Sequence, residues 1–205
     1  MYELLATPPW RDQVDWSRTD VFWGDERMVP PDDAKSNYRM ARETLLAHVP
    51  VPAGNVHRVM TESGVPVSVA RHYERTIREV FGIESPAVPE FDLILLGVGE
   101  NGHTASLFPY SKTLHERERL VAEDYVEEVG GYRITMTVPL LNAGRTIMFL
   151  VSGEAKAEVV RDVISGPRNV EKLPAQLIEP AGGNLVWLLD APAASRLPAS
   201  IQRSA

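Results

Sequence analysis

Residues 91–109, FDLILLGVGENGHTASLFP, constrain this chain more than any other stretch. Phe91 to Leu96 is nearly all apolar, which suits a central parallel strand covered on both faces. The run then breaks into Gly97, Gly99 and Gly102. The turn they form presents Asn101 and His103 before Pro109 closes it. Glycine lets a backbone turn tightly and come close to a ligand. In open α/β sheets, ligands sit beyond the carboxyl ends of the strands. The stretch therefore predicts an α/β fold with a reactive turn at a strand end.

The same glycines spell the dinucleotide fingerprint G-x-G-x-x-G, and that reading fails on two counts. A dinucleotide turn opens a long helix, but Pro109 would break it. The acidic residue that should end a second strand about 20 residues on falls in SKTLHERERL, which has no strand character.

Around this segment, strands alternate with helices. Val21-Phe22-Trp23 reads as a short strand ending in Gly24-Asp25-Glu26-Arg27, with Pro30 and Pro31 in a loop. Ser36 caps a helix carrying Tyr38, Ala41, Leu45 and Val49 on one face, stopped by Pro50 and Pro52. Val56 to Met60 reads as a strand. Residues 66–81 form an amphipathic helix with Val69, Tyr73, Ile77 and Val80 buried and Gly82 as C-cap. Arg133–Val138, Thr146–Val151 and Asn184–Leu189 are further strands. Gly153–Ile164 is a helix, and the Ala-rich tail starts another. The fold class is α/β, a Rossmann-like, mostly parallel sheet flanked by helices. With no repeat, low-complexity tract or linker, residues 1–205 read as a single domain.

Composition narrows the function. No apolar run reaches 18 residues, so no membrane partner is expected. A net charge of −7 without an evident basic face counts against nucleic acid. The absence of cysteine removes disulfides, thiolate metal sites and a thiol nucleophile. Together with the lack of a basic, apolar leader, it fits a cytoplasmic protein.

Three groups carry candidate chemistry, each with a bland alternative. Asp25-Glu26-Arg27 reads either as a substrate-binding group or as a solvated loop with a surface ion pair. His103 lies in the strand-end turn and reads as a general base or as an ordinary turn histidine. The other four histidines lie on helices, in a strand or in a charged run. Lys156 enters a helix against its dipole, which suggests an anionic ligand or a flexible surface lysine. Ser106 lacks the G-x-S-x-G elbow of a serine hydrolase. No H-E-x-x-H or carboxylate cluster suggests a metal.

Three segments together resemble one family: VFWGDERMVPPDDAKSNYRMARETLL (21–46), FDLILLGVGENGHTASLFP (91–109) and RITMTVPLLNAGRTIMFLVSGEAKAEVV (133–160). The chain is similar to the 6-phosphogluconolactonases of the glucosamine-6-phosphate isomerase/6-phosphogluconolactonase family. The resemblance implies hydrolysis of a phosphorylated sugar lactone in the oxidative pentose phosphate pathway, without cofactor or metal. His103 would be the catalytic base. Arg27 and Lys156 would hold the phosphate. Asp25, Gly99, Asn101 and Gly102 would line the substrate pocket. Arg27, Asn101 and Leu107-Phe108-Pro109 stand where the amino-sugar deaminases carry Tyr, Asp and Asn-Glu-Pro, which favours the lactonase. The alternatives are a sugar-phosphate isomerase or deaminase and a non-catalytic sugar-phosphate-binding protein.

The family opens with a strand and a Gly-Gly-Ser/Thr-Pro phosphate turn, and residues 1–5 resemble the helix that follows. The expectation is a domain lacking its first βα unit. The 205-residue form would then have weak or no lactonase activity and poor stability, and an upstream-extended form would be active.

Overall fold

A computed structural model describes residues 1–201. Its strands are β1 (Val21–Phe22), β2 (Asp25–Arg27), β3 (Val56–His57), β4 (Ile94–Leu96), β5 (Val121–Val126), β6 (Gly131–Met136), β7 (Thr146–Val151) and β8 (Asn184–Leu189). They form three hydrogen-bonded sheets. β1 and β3 are parallel, as are β4, β7 and β8 in that order; β2, β6 and β5 are antiparallel. The helices are α1 (Tyr2–Leu5), α2 (Asn37–Ala41), α3 (Pro66–Phe81), α4 (Val138–Asn142), α5 (Ala157–Ser165) and α6 (Ala191–Ala194). The result is the expected α/β class.

The amphipathic pattern is clearest in α3. Val69, Tyr73 and Ile77 are fully buried, each apolar side chain contributing about 1.5–3 kcal/mol. Gly82 ends the helix in the left-handed conformation, where its N–H donates to the Glu79 carbonyl and the Ile83 N–H to the Arg78 carbonyl. Val80 departs from the expected stripe and is 41% exposed. Tyr73 also pins the strand ahead of the site: its hydroxyl accepts from the Trp23 N–H and donates to the Trp23 carbonyl.

Several expectations are corrected. β4 covers only the end of the 91–96 run and pairs with β7 alone, so β7 is the middle strand of that sheet. β7 takes this position because Ile147, Phe149 and Val151 bury one face, and both its edges find partners. The strand expected at Arg133–Val138 is antiparallel, not part of the parallel sheet. Its partner β5 escaped notice because Glu123 and Asp124 interrupt its apolar pattern. In the fold, Arg119 and Lys112 pair with those carboxylates. The strand expected over 56–60 shortens to Val56–His57. The Ser36-capped helix passes from α2 into a π-helical turn at Arg42–Leu46. The helix expected from Gly153 begins with a 3₁₀ turn, Glu154–Lys156, ahead of α5.

One apolar core runs from Trp23 to Leu197. A smaller cluster of Ala6, Trp16, Leu45 and Val49 lies near α1. Among the described residues, no helix is long and apolar enough to cross a membrane.

Candidate active site

The glycine turn after β4 closes on itself. The Gly99 N–H donates to the His103 carbonyl, and the Gly102 N–H to the Gly99 carbonyl. Gly102 sits at φ +85, and a Cβ there would meet Leu173. Gly99 is required for a different reason. A Cβ on it would overlap the His103 ring, so the imidazole lies directly against the backbone. Both glycines, expected to bind substrate, therefore shape the turn that holds His103. Beyond the histidine, Ala105 adopts φ 45, a left-handed conformation rare outside glycine. Strain of this kind concentrates at functional sites. No long helix follows. Thr104 instead bridges to Leu107, in keeping with rejection of a dinucleotide turn.

His103 is half-buried, and three contacts fix its ring. Phe108 stacks on it at 4.3 Å and 15°. Asn101 Oδ1 lies 2.6 Å from His103 Nδ1 and also accepts the His103 backbone N–H. The Asn101 Nδ2 donates to Glu128, at 2.9 and 3.1 Å from its two oxygens. This last contact orients the amide, because only its nitrogen can donate to a carboxylate. Asn101 Oδ1 must then be an acceptor, so His103 Nδ1 carries the proton. Nε2 is left with its lone pair.

Asp25-Glu26-Arg27 is not a solvated loop but strand β2, and its three side chains have separate roles. Glu26 is only 2% exposed. Its carboxylate accepts from the Arg27, Asn37 and Tyr38 N–H groups and the Ser36 hydroxyl. It thus anchors the start of α2. Asp25 accepts from the Ser106 hydroxyl at 2.6 Å and from Asn37 Nδ2 at 3.1 Å. Burial pushes its carboxyl pKa up, against the Ser106 hydrogen bond and the nearby Arg27 and Arg133 charges. Ser106, discounted as a nucleophile, is this carboxylate's partner. Arg27 hydrogen-bonds the Lys35 carbonyl through one terminal nitrogen, while its Nε is buried without a partner.

The antiparallel sheet adds a residue that spacing did not reveal. Arg133 on β6 stands directly across from Arg27. Burial and the Arg27 charge push the Arg133 pKa down. Lys156, at the entry to α5, is also close enough to act on the histidine. Burial lowers the His103 pKa, and the Lys156, Arg133 and Arg27 charges lower it further; Glu128 opposes them. Of the expected site residues, His103, Asn101, Arg27 and Lys156 therefore gather with Gly99 and Gly102. Asp25 joins them through β2, next to Ser106. Arg133 and Glu128 could not be found from spacing, since both reach the site through the β5–β6 hairpin. Chemically, the cluster offers an imidazole whose pKa is held below its ordinary value, with three cations acting on it electrostatically. Among the described residues, no group of three or more His, Asp or Glu side chains could hold a metal ion.

Comparison with known proteins places this arrangement in context. Residues 1–187 match the family described as glucosamine-6-phosphate isomerases/6-phosphogluconolactonase. The chain is 40% identical over 197 residues to a 6-phosphogluconolactonase from Synechocystis sp., covering 96% of this chain and 79% of the relative. It is 39% identical over 181 residues to the 6-phosphogluconolactonase of Homo sapiens, covering 87% and 68%. The solved 6-phosphogluconolactonase from Trypanosoma brucei superposes with TM-score 0.84 at 30% identity, covering 96% and 81%. A monomeric glucosamine-6-phosphate deaminase, 20% identical with TM-score 0.77 over 95% and 82%, shares the fold.

Proposed function

The chain belongs to the glucosamine-6-phosphate isomerase/6-phosphogluconolactonase family, and from that premise we propose that it hydrolyses 6-phospho-D-glucono-1,5-lactone to 6-phospho-D-gluconate with His103 as the base. The observation that carries this reading is the His103–Asn101 hydrogen bond, which leaves Nε2 unprotonated and free. Nε2 takes a proton from water as its oxygen attacks C1 of the lactone. The tetrahedral intermediate then collapses with cleavage of the C1–ring oxygen bond. The imidazolium returns the proton to the departing ring oxygen, so one water is added and the base is regenerated.

Arg27, Arg133 and Lys156 bind the substrate phosphate through charge-assisted hydrogen bonds. Anchoring a group remote from the carbonyl orients the reacting end, which is where such binding energy contributes most. Asp25 and Asn101 line the pocket. The reaction belongs to the oxidative pentose phosphate pathway, and a cysteine-free chain suits a cytoplasmic enzyme.

Phe108 favours this reading over amino-sugar deamination, because its ring backs the imidazole where the deaminases carry a different tripeptide. Offering the protein freshly generated 6-phosphogluconolactone and, separately, glucosamine 6-phosphate tests the choice. The expected result is lactone loss above the spontaneous rate and no ammonia release. Ammonia release without accelerated lactone loss would overturn it.

A further inference from the structure

The cations that suit a phosphate also weaken the base beside them, and the β5–β6 hairpin carries a group that counters this. The 3₁₀ turn Glu127–Val129 ends at Gly130, whose left-handed conformation (φ 61) reverses the chain into β6. This places the exposed Glu128 carboxylate against Asn101 Nδ2, 27 residues away in sequence. The amide passes the contact on, since its oxygen holds both the backbone N–H and Nδ1 of His103.

We propose that Glu128 is a positioning residue for His103, acting through Asn101 to fix the imidazole's tautomer. The proposal rests on His103 being the base. Without Glu128, turning the Asn101 amide over would break only its long, 3.2 Å bond from the His103 backbone N–H, and would offer Nδ2 to the ring. That would stabilise the wrong tautomer, with the lone pair on Nδ1 and the proton on Nε2. A carboxylate on the far side of the amide removes that option. In a Ser-His-Asp triad the carboxylate touches the imidazole directly. Here a neutral amide stands between, so the histidine is oriented without a charge on its ring nitrogen.

The electrostatics point the same way. The Lys156, Arg133 and Arg27 charges disfavour the protonated form of His103, while Glu128 favours it. Glu128 thus partly offsets the effect of the three cations on the imidazole.

The test is NMR titration of the His103 imidazole in the wild-type protein and in Glu128→Gln and Glu128→Ala, alongside the pH dependence of kcat/KM. Glu128→Gln keeps an acceptor for Asn101 and loses the charge. It should retain the Nδ1–H tautomer while the His103 midpoint falls, because a charge favouring the imidazolium is lost. Glu128→Ala should also lose the dominance of that tautomer, with kcat down on the order of tenfold and KM little changed. An unchanged tautomer and midpoint in Glu128→Ala would overturn the proposal. The NMR arm needs no turnover, so it reads Glu128's influence separately. Failure of the premise that His103 is the base would appear instead as full lactone hydrolysis in His103→Ala.

Discussion

Arg27 and Arg133 stand directly opposite each other on the antiparallel pair β2–β6. Like charges in that relationship destabilise a sheet, and here one of them also buries an unpartnered Nε. A dianionic phosphate held by both guanidiniums would relieve the repulsion. Arg133→Ala should therefore raise KM for the phosphorylated lactone about tenfold or more, the scale of a charge-assisted hydrogen bond. Hydrolysis of unphosphorylated gluconolactone should change little. Stability of the ligand-free protein should hold or rise slightly in chemical denaturation. An equal loss on both lactones would remove Arg133 from phosphate binding.

The pH profile follows from His103. Only the neutral imidazole accepts a proton, so activity falls as pH drops through its pKa. Burial, then the Lys156, Arg133 and Arg27 charges, hold that pKa below the ordinary value of about 6.5. The acid limb of kcat/KM, which reports the free enzyme, should accordingly have its midpoint below that value. A midpoint at or above it contradicts the assignment.

Gly99 is tested by Gly99→Ala. The added methyl must displace the imidazole, since a Cβ there overlaps the His103 ring. Displacing a base by about 1 Å can cost on the order of a hundredfold in rate. The expected result is a kcat loss of that order with KM nearly unchanged. Wild-type kcat would show that the ring's seat against the backbone is unimportant.

Glu26 should be structural. Its carboxylate receives four hydrogen bonds at the start of α2. Glu26→Ala leaves those donors unmade and should destabilise the protein by about 3 kcal/mol. The check is the denaturant midpoint, with the slope unchanged. A shift under about 0.5 kcal/mol would contradict this role.

Local patterns were legible in the sequence where one residue's neighbours decide its state. The α3 stripe, the Gly82 cap and the His103 turn all depend on residues within a few positions. β5 and the antiparallel pairing of β6 were not legible. Glu123 and Asp124 look like loop residues until Arg119 and Lys112 are brought beside them. The same limit applied to the site. His103, Asn101 and Arg27 lie in recognisable segments, but the roles of Arg133 and Glu128 depend on cross-sheet register. Glu26 looked like part of a charged turn because nothing in the triplet reveals that four donors converge on it.

The most direct measurement is hydrolysis of freshly generated 6-phosphogluconolactone by the wild-type chain and by His103→Ala, each corrected for the spontaneous rate. With both variants equally folded by circular dichroism, the account predicts enzymatic hydrolysis that drops by about 10²–10⁴-fold in His103→Ala, the contribution of a positioned general base. Equal rates for the two proteins would contradict it.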